Sequence, residues 1–145
     1  MKDITIKIIG KRYAEGELED EMEFVSDAKM YERGGARYLL YDESEFSGFP
    51  GCKTSLKLTS DSLRMRRIGA EAEAEGFNID MIFEKGKRIS SIYETPYGSV
   101  NMEVMTTDIT NNLSPEGYGK VTVGYDVSLQ GLEEERNEIE LEIMQ

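Results

Sequence analysis

Apolar and polar residues alternate along most of this chain, and alternation with period two is the mark of a strand buried on one face. In "DITIKIIG", Ile4, Ile6 and Ile8 alternate with Asp3, Thr5 and Lys7. In "MEFVSDAKMYE", Met22, Phe24, Ala28 and Met30 alternate with Glu23, Asp27 and Lys29, which places the methionines and Phe24 inward. The same rhythm returns at Leu56 and Leu58, at Leu63 and Met65, and at Phe77, Ile79, Met81 and Phe83. It continues through Ile89, Ser91 and Tyr93, then Val100, Met102 and Val104, then Val121, Val123, Tyr125, Val127 and Leu129. Glycine-rich turns separate the runs at 34–35, 48–51, 69, 76, 86, 96–98, 111–117 and 131. Runs spaced by roughly ten residues, each with one apolar face, predict an antiparallel meander around a single interior. About 8–10 such strands suffice to close an up-and-down β-barrel and remove exposed edges. The expected organisation is one β-barrel domain over residues 1–145.

Two stretches depart from the rhythm. "GAEAEAEG", 69–76, has helix-forming composition but is too short for a stable helix, and reads as a solvated connection. In "GLEEERNEIELEIMQ", Leu132, Arg136, Ile139 and Ile143 fit a helical spacing, whereas Ile139, Leu141 and Ile143 alternate with glutamates. The strand reading uses every apolar residue from 139 to 143, and a last strand here closes the sheet. The "TPYG" segment, 95–98, reads as a hairpin loop. Pairing Tyr93 with Val100 and Glu94 with Ser99 keeps both apolar faces on one side, with Gly98 at positive φ.

Composition narrows the chemistry. Hydrophobic residues make up 39% and charged residues 32% of 145, the profile of a globular chain. No apolar run reaches the roughly 18 residues of a membrane span, and the charged start is not the core of a signal peptide. The single cysteine, Cys52, excludes an internal disulfide and fits a reducing cytoplasm. A net charge of −12 disfavours nucleic acid and anionic membranes as partners. The absence of histidine removes histidine triads, histidine-ligated metals and histidine acid–base catalysis, so any enzyme would rest on carboxylates.

The candidate functional residues follow from their faces. Arg64 and Arg66 share the solvent side of "SLRMRRIG", while Arg67 falls inward near the strand end. An inward guanidinium can fork onto a ligand carboxylate or phosphate, or pair internally with a carboxylate such as Glu43. Tyr41, Tyr93 and Tyr125 fall on inward faces, where each hydroxyl can orient a ligand or complete a packed core. Asp42, Glu43 and Glu45 lack the spacing of a calcium loop, and no glycine pattern cradles a phosphate; neither a metal nor a cofactor is expected.

Taken in order, "RYLLYDESE", "CKTSLKLTSDSLRMRRIG", "FNIDMIFEKGKR", "YETPYGSVNMEVMTTDI", "GKVTVGYDVSL" and "NEIELEI" resemble the YwiB-like family of uncharacterised bacterial proteins. The resemblance spans nearly the whole chain, with Tyr93 to Gly98 and Arg67 to Gly69 its most specific parts. It implies a lipocalin-like (calycin-type) β-barrel and carries no activity or catalytic residue with it. The reading that results is a non-enzymatic barrel for a small apolar or amphipathic ligand, with Arg67, Tyr93, Tyr125, Tyr41 and Glu43 as candidate contacts. The alternatives are a filled structural or interaction barrel acting as a homodimer, and a carboxylate enzyme built on Glu43 and Arg67.

Overall fold

In a computed structural model that describes residues 1–44, 49–131 and 133–145, the alternating runs become ten antiparallel strands. They are β1 (Lys2–Ala14), β2 (Glu17–Arg33), β3 (Ala36–Asp42), β4 (Cys52–Leu58), β5 (Ser62–Gly69), β6 (Asn78–Glu84), β7 (Arg88–Thr95), β8 (Gly98–Leu113), β9 (Gly119–Leu129) and β10 (Glu135–Met144). Each strand neighbours the next in sequence, and β10 pairs with β1 to close the barrel. Closure depends on the C-terminal segment being a strand: Ile143 partners Ile6, and Leu141 partners Ile8. Leu132, whose spacing had suggested a helix, lies outside the described residues.

The interior is built from the predicted faces. Ile4, Ile6, Phe24, Leu39, Leu56, Leu63, Phe83, Val104, Val123 and Leu141 are among the buried residues of one continuous core. Burying a side chain of this size contributes about 1.5–3 kcal/mol, so the barrel body is held chiefly by its apolar faces.

The two ends of the barrel differ. At one end Ser114–Tyr118 folds across the opening, where Arg37 Nη2 donates to the Pro115 carbonyl (2.6 Å) and Lys2 Nζ to that of Glu116 (3.0 Å). Gly117 is pressed so closely on the end that a Cβ there would stand 2.9 Å from Met30 Cε. We call this the closed end. The other, open end gathers the β1–β2, β3–β4, β5–β6, β7–β8 and β9–β10 connections.

Several local expectations need correction. The chain runs straight through 10–21 as a long β1–β2 arm, turning at Glu15 and Gly16, both at positive φ (53° and 80°). A two-residue turn with both φ positive suits the twist of a hairpin, but Glu-Gly is a weak signal for it. Met22 is therefore 40% exposed, opposite Gly10 on a stretch of β2 that has no partner from β3. Leu129 keeps its inward register opposite Met102, yet stands 44% exposed at the rim. β8 continues to Leu113 instead of turning at Asn111, after a bulge between Thr106 and Asp108. The "GAEAEAEG" connection contains one 3-10 turn, Ala72–Ala74, with Ala74 buried. Gly69 makes this docking feasible: a Cβ there would lie 1.7 Å from the Ala74 carbonyl oxygen.

Candidate functional site

Strand register brings four inward side chains into one transverse row near the open end. Tyr41 partners Thr54, Thr54 partners Arg67, and Arg67 partners Ile79. Glu43 follows β3 directly and is anchored by its backbone N–H on the Cys52 carbonyl (2.9 Å). Its carboxylate turns inward, with a side-chain exposure of 1%. Thr54 Oγ1 donates to Glu43 Oε1 at 2.6 Å, and Arg67 Nε donates to the same oxygen at 3.3 Å. Glu43 Oε2 has no hydrogen-bond partner among the described residues. The pair exists because neither charge can be buried alone at acceptable cost.

Among the described residues the rest of the Arg67 guanidinium has no other carboxylate partner. Its carbon lies 3.7 Å from the Phe49 ring centroid, and Nη2 approaches the Met65 sulfur at 3.9 Å. The side chain borders a cavity of about 320 Å³ with Phe49, Pro50, Phe77, Ile79 and Tyr93. This volume is at the lower bound of small-molecule sites, and mostly apolar walls with a few polar groups, Arg67, Glu73 and Asn78, suit that use.

The other predicted residues separate into two groups. Tyr93 lines this cavity beside Arg67. Tyr41 packs on Phe24 (ring centroids 6.2 Å) behind the Glu43 pair, and Tyr125 meets the edge of Phe83 (4.8 Å) deeper in the barrel. Burial drives the Tyr41 hydroxyl pKa well above its ordinary value, Glu43 adding to the rise and Arg67 opposing it. Burial likewise pushes Tyr125 up to about 12, again opposed by Arg67. Both hydroxyls stay protonated at neutral pH. Cys52 also lines the cavity, and burial raises its thiol pKa, so it is not an activated nucleophile.

Asp42 is exposed and pairs with Lys53 (3.6 Å), so Asp42 and Glu43 point to opposite sides of the sheet. Glu45 lies outside the described residues. Arg64 and Arg66 face outward as expected, where Arg64 forks onto Asp80 (3.0 and 2.6 Å) and holds that carboxyl below its ordinary range. A wider hollow of about 820 Å³ along β1–β5 is bordered by Asp3 and Lys29, and by Asp42 and Lys53. Those charges already neutralise one another in pairs. Thr54 and Phe49 were not among the predicted residues. Alternation carried back from Leu58 and Leu56 places Thr54 inside, a hydroxyl on an otherwise apolar face; Phe49 sits in a connection without periodicity and gives no such signal.

Comparison with known proteins bears on the whole barrel. The family described as Domain of unknown function (DUF1934) matches residues 6–141, nearly every strand of the closed sheet. The chain belongs to this family. Its structure is similar to the crystal structure of the ywiB protein from Bacillus subtilis, with a TM-score of 0.69. The two are 18% identical, over 97% of this chain and 90% of that one. At that identity the likeness shows the fold. None of the curated proteins matches.

Proposed function

We propose that this family member is a non-enzymatic small-molecule-binding barrel of lipocalin-like (calycin) type. Its ligand is small and amphipathic, with an anionic or strongly polar end held by Arg67 and an apolar body against Phe49, Phe77, Ile79 and Tyr93. The observation that carries this reading is the two-sided Arg67: Nε bonds a buried carboxylate, while the guanidinium also borders an apolar cavity. Glu43 thereby acts as a positioning residue, fixing the fork from behind. An acid–base role for Glu43 has less support, because its bonded oxygen faces Thr54 and Arg67 and the residue does not border the cavity. A single buried thiol is in keeping with a cytoplasmic setting.

Native mass spectrometry of protein purified from its own host tests the assignment. A retained small-molecule mass is expected, lost in Arg67→Lys, which keeps a charge beside Glu43 but removes the planar fork. Ligand-free protein in repeated preparations would overturn it. A second reading, a homodimer of filled barrels, has one feature in its favour: the long β1–β2 arm exposes Leu18 (50%) and Met22. Sedimentation of the purified protein as a monomer at all concentrations would remove that reading.

A further inference from the structure

The barrel wall is not equally sealed around its circumference. Most neighbouring strands share a continuous ladder, seven pairs between β5 and β6 and eight between β7 and β8. β6 and β7 share one pair, Asn78 with Glu94, at the open end. They are tied again at the closed end by the short Lys85–Lys87 connection, where Lys87 N–H donates to the Glu84 carbonyl (3.0 Å). Between these two ties the strands share no ladder pair, a weak seam in the wall that we call the slit. Counted from the Asn78–Glu94 pair, Ile79 faces Tyr93 across it, Met81 faces Ser91, and Ile82 faces Ser90.

One observation connects the slit with the cavity, and two describe the strand beside it. Ile79 and Tyr93, which flank its open-end tie, are themselves cavity walls. Every residue of β7 is half-buried or exposed, whereas β6 buries Ile79, Met81 and Phe83. The loosely held strand is thus β7, fastened on its other side to β8. Ser91 Oγ, on the β7 run that faces the slit, is shielded from water and has no hydrogen-bond partner among the described residues.

Resting on the binding reading above, we propose that the β6–β7 slit is the door through which the cavity loads and unloads its ligand. It further specifies the ligand as an elongated amphiphile, such as a long-chain carboxylate. The anionic end seats on Arg67, and the chain lies along Ile79, Met81 and Tyr93 toward the slit. Passage needs no strand exchange: β7 swings on β8, and one ladder pair is all that is broken.

The test closes the slit from outside. Ile82→Cys with Ser90→Cys, in a Cys52→Ser background, places two thiols across the slit on the solvent face and leaves Arg67 and Tyr93 untouched. Uptake and release of the fluorescent polyene fatty acid cis-parinarate are followed by stopped flow, oxidised and reduced. A door raises or lowers one barrier for both directions, so oxidation is expected to slow both rates by about tenfold or more, with Kd moving by less than about twofold. Ser91→Leu, which fills the slit without a cross-link, is expected to slow both rates as well, covering a cross-link that fails to form. Unchanged rates in both variants, with binding still lost in Arg67→Lys, would overturn the door and leave the site standing. Binding that survives Arg67→Lys, or no binding to the unaltered protein, would overturn site and door together.

Discussion

The two ends of this barrel are made from the same alternating strands and end up with opposite characters. At the closed end the inward row runs Arg37, Leu58, Leu63 and Phe83, and the Ser114–Tyr118 loop lies over it. Arg37 there binds backbone and surface partners through Nη2, the Pro115 carbonyl and Glu32 (2.9 Å), while its Nη1 is buried without a hydrogen-bond partner among the described residues. At the open end the corresponding row is Tyr41, Thr54, Arg67 and Ile79, and its arginine is held by a buried carboxylate next to a cavity. An inward arginine is therefore not itself a site. What differs is the partner: Arg37 closes a loop, whereas Arg67 is fixed at Nε and leaves a charged edge beside apolar walls.

The sharpest way to break the contrast is to open the closed end. Phe83→Ala removes a fully buried ring and should lower stability by about 3–5 kcal/mol in urea unfolding; a loss under about 1 kcal/mol would mean that this half is not close-packed. At the open end, Arg67→Met strands the Glu43 carboxylate and is expected to cost about 3 kcal/mol. The double variant Glu43→Gln with Arg67→Met should recover much of that loss. If the double is no more stable than the single, Glu43 is not held in place by Arg67.

Alkaline titration compares the two halves through their tyrosines. Tyr125 has its hydroxyl raised from 10.0 to about 12, and Tyr41 is raised in the same direction. The unfolded chain releases these protons first as pH rises, so the native state binds more protons above pH 10 and stability must fall with pH there. The contribution is intact below about pH 10 and is lost as pH climbs through about 12 for Tyr125. Tyr125→Phe should flatten this decline in denaturant midpoints measured across that range; an equally steep decline would show that the hydroxyl titrates normally.

The smallest effects belong to the β7–β8 hairpin at the open rim. Thr95 Oγ1 accepts from the Tyr97 N–H (3.2 Å) and donates to the Gly98 carbonyl (2.7 Å), so Thr95→Val should cost about 1 kcal/mol. Tyr97 is 94% exposed, and Tyr97→Ala should change stability by less than about 0.5 kcal/mol and leave parinarate binding as it was. A large loss of binding from Tyr97→Ala would move the functional site from the cavity to this loop.

Much of the architecture was legible in the residues. Alternation identified the inward faces of β1, β4, β6 and β7, and it placed Tyr93 opposite Val100 and Glu94 opposite Ser99, the register found. It also resolved the C-terminal segment, because Leu141 has a place on a strand's apolar face and none on the helical stripe. The Arg67–Glu43 pair was foreseeable for the same reason: a charge on an apolar face needs a partner of opposite sign. Longer-range features were not legible. The β1–β2 arm has no strong turn signal, and the burial of Ala74 depends on a close approach to Gly69, five residues earlier, that composition does not advertise.

Pattern along the chain was enough for the strands, their faces and a closed sheet, since period two ties each residue's side to its sequence parity. Contacts between distant strands settled the rest. They made one end a plug and the other a cavity, gave Arg67 both a carboxylate and an apolar wall, and left β6 and β7 joined by a single pair. Parity says only which way a side chain points; what it meets there depends on strand stagger, loop placement and the space left between them.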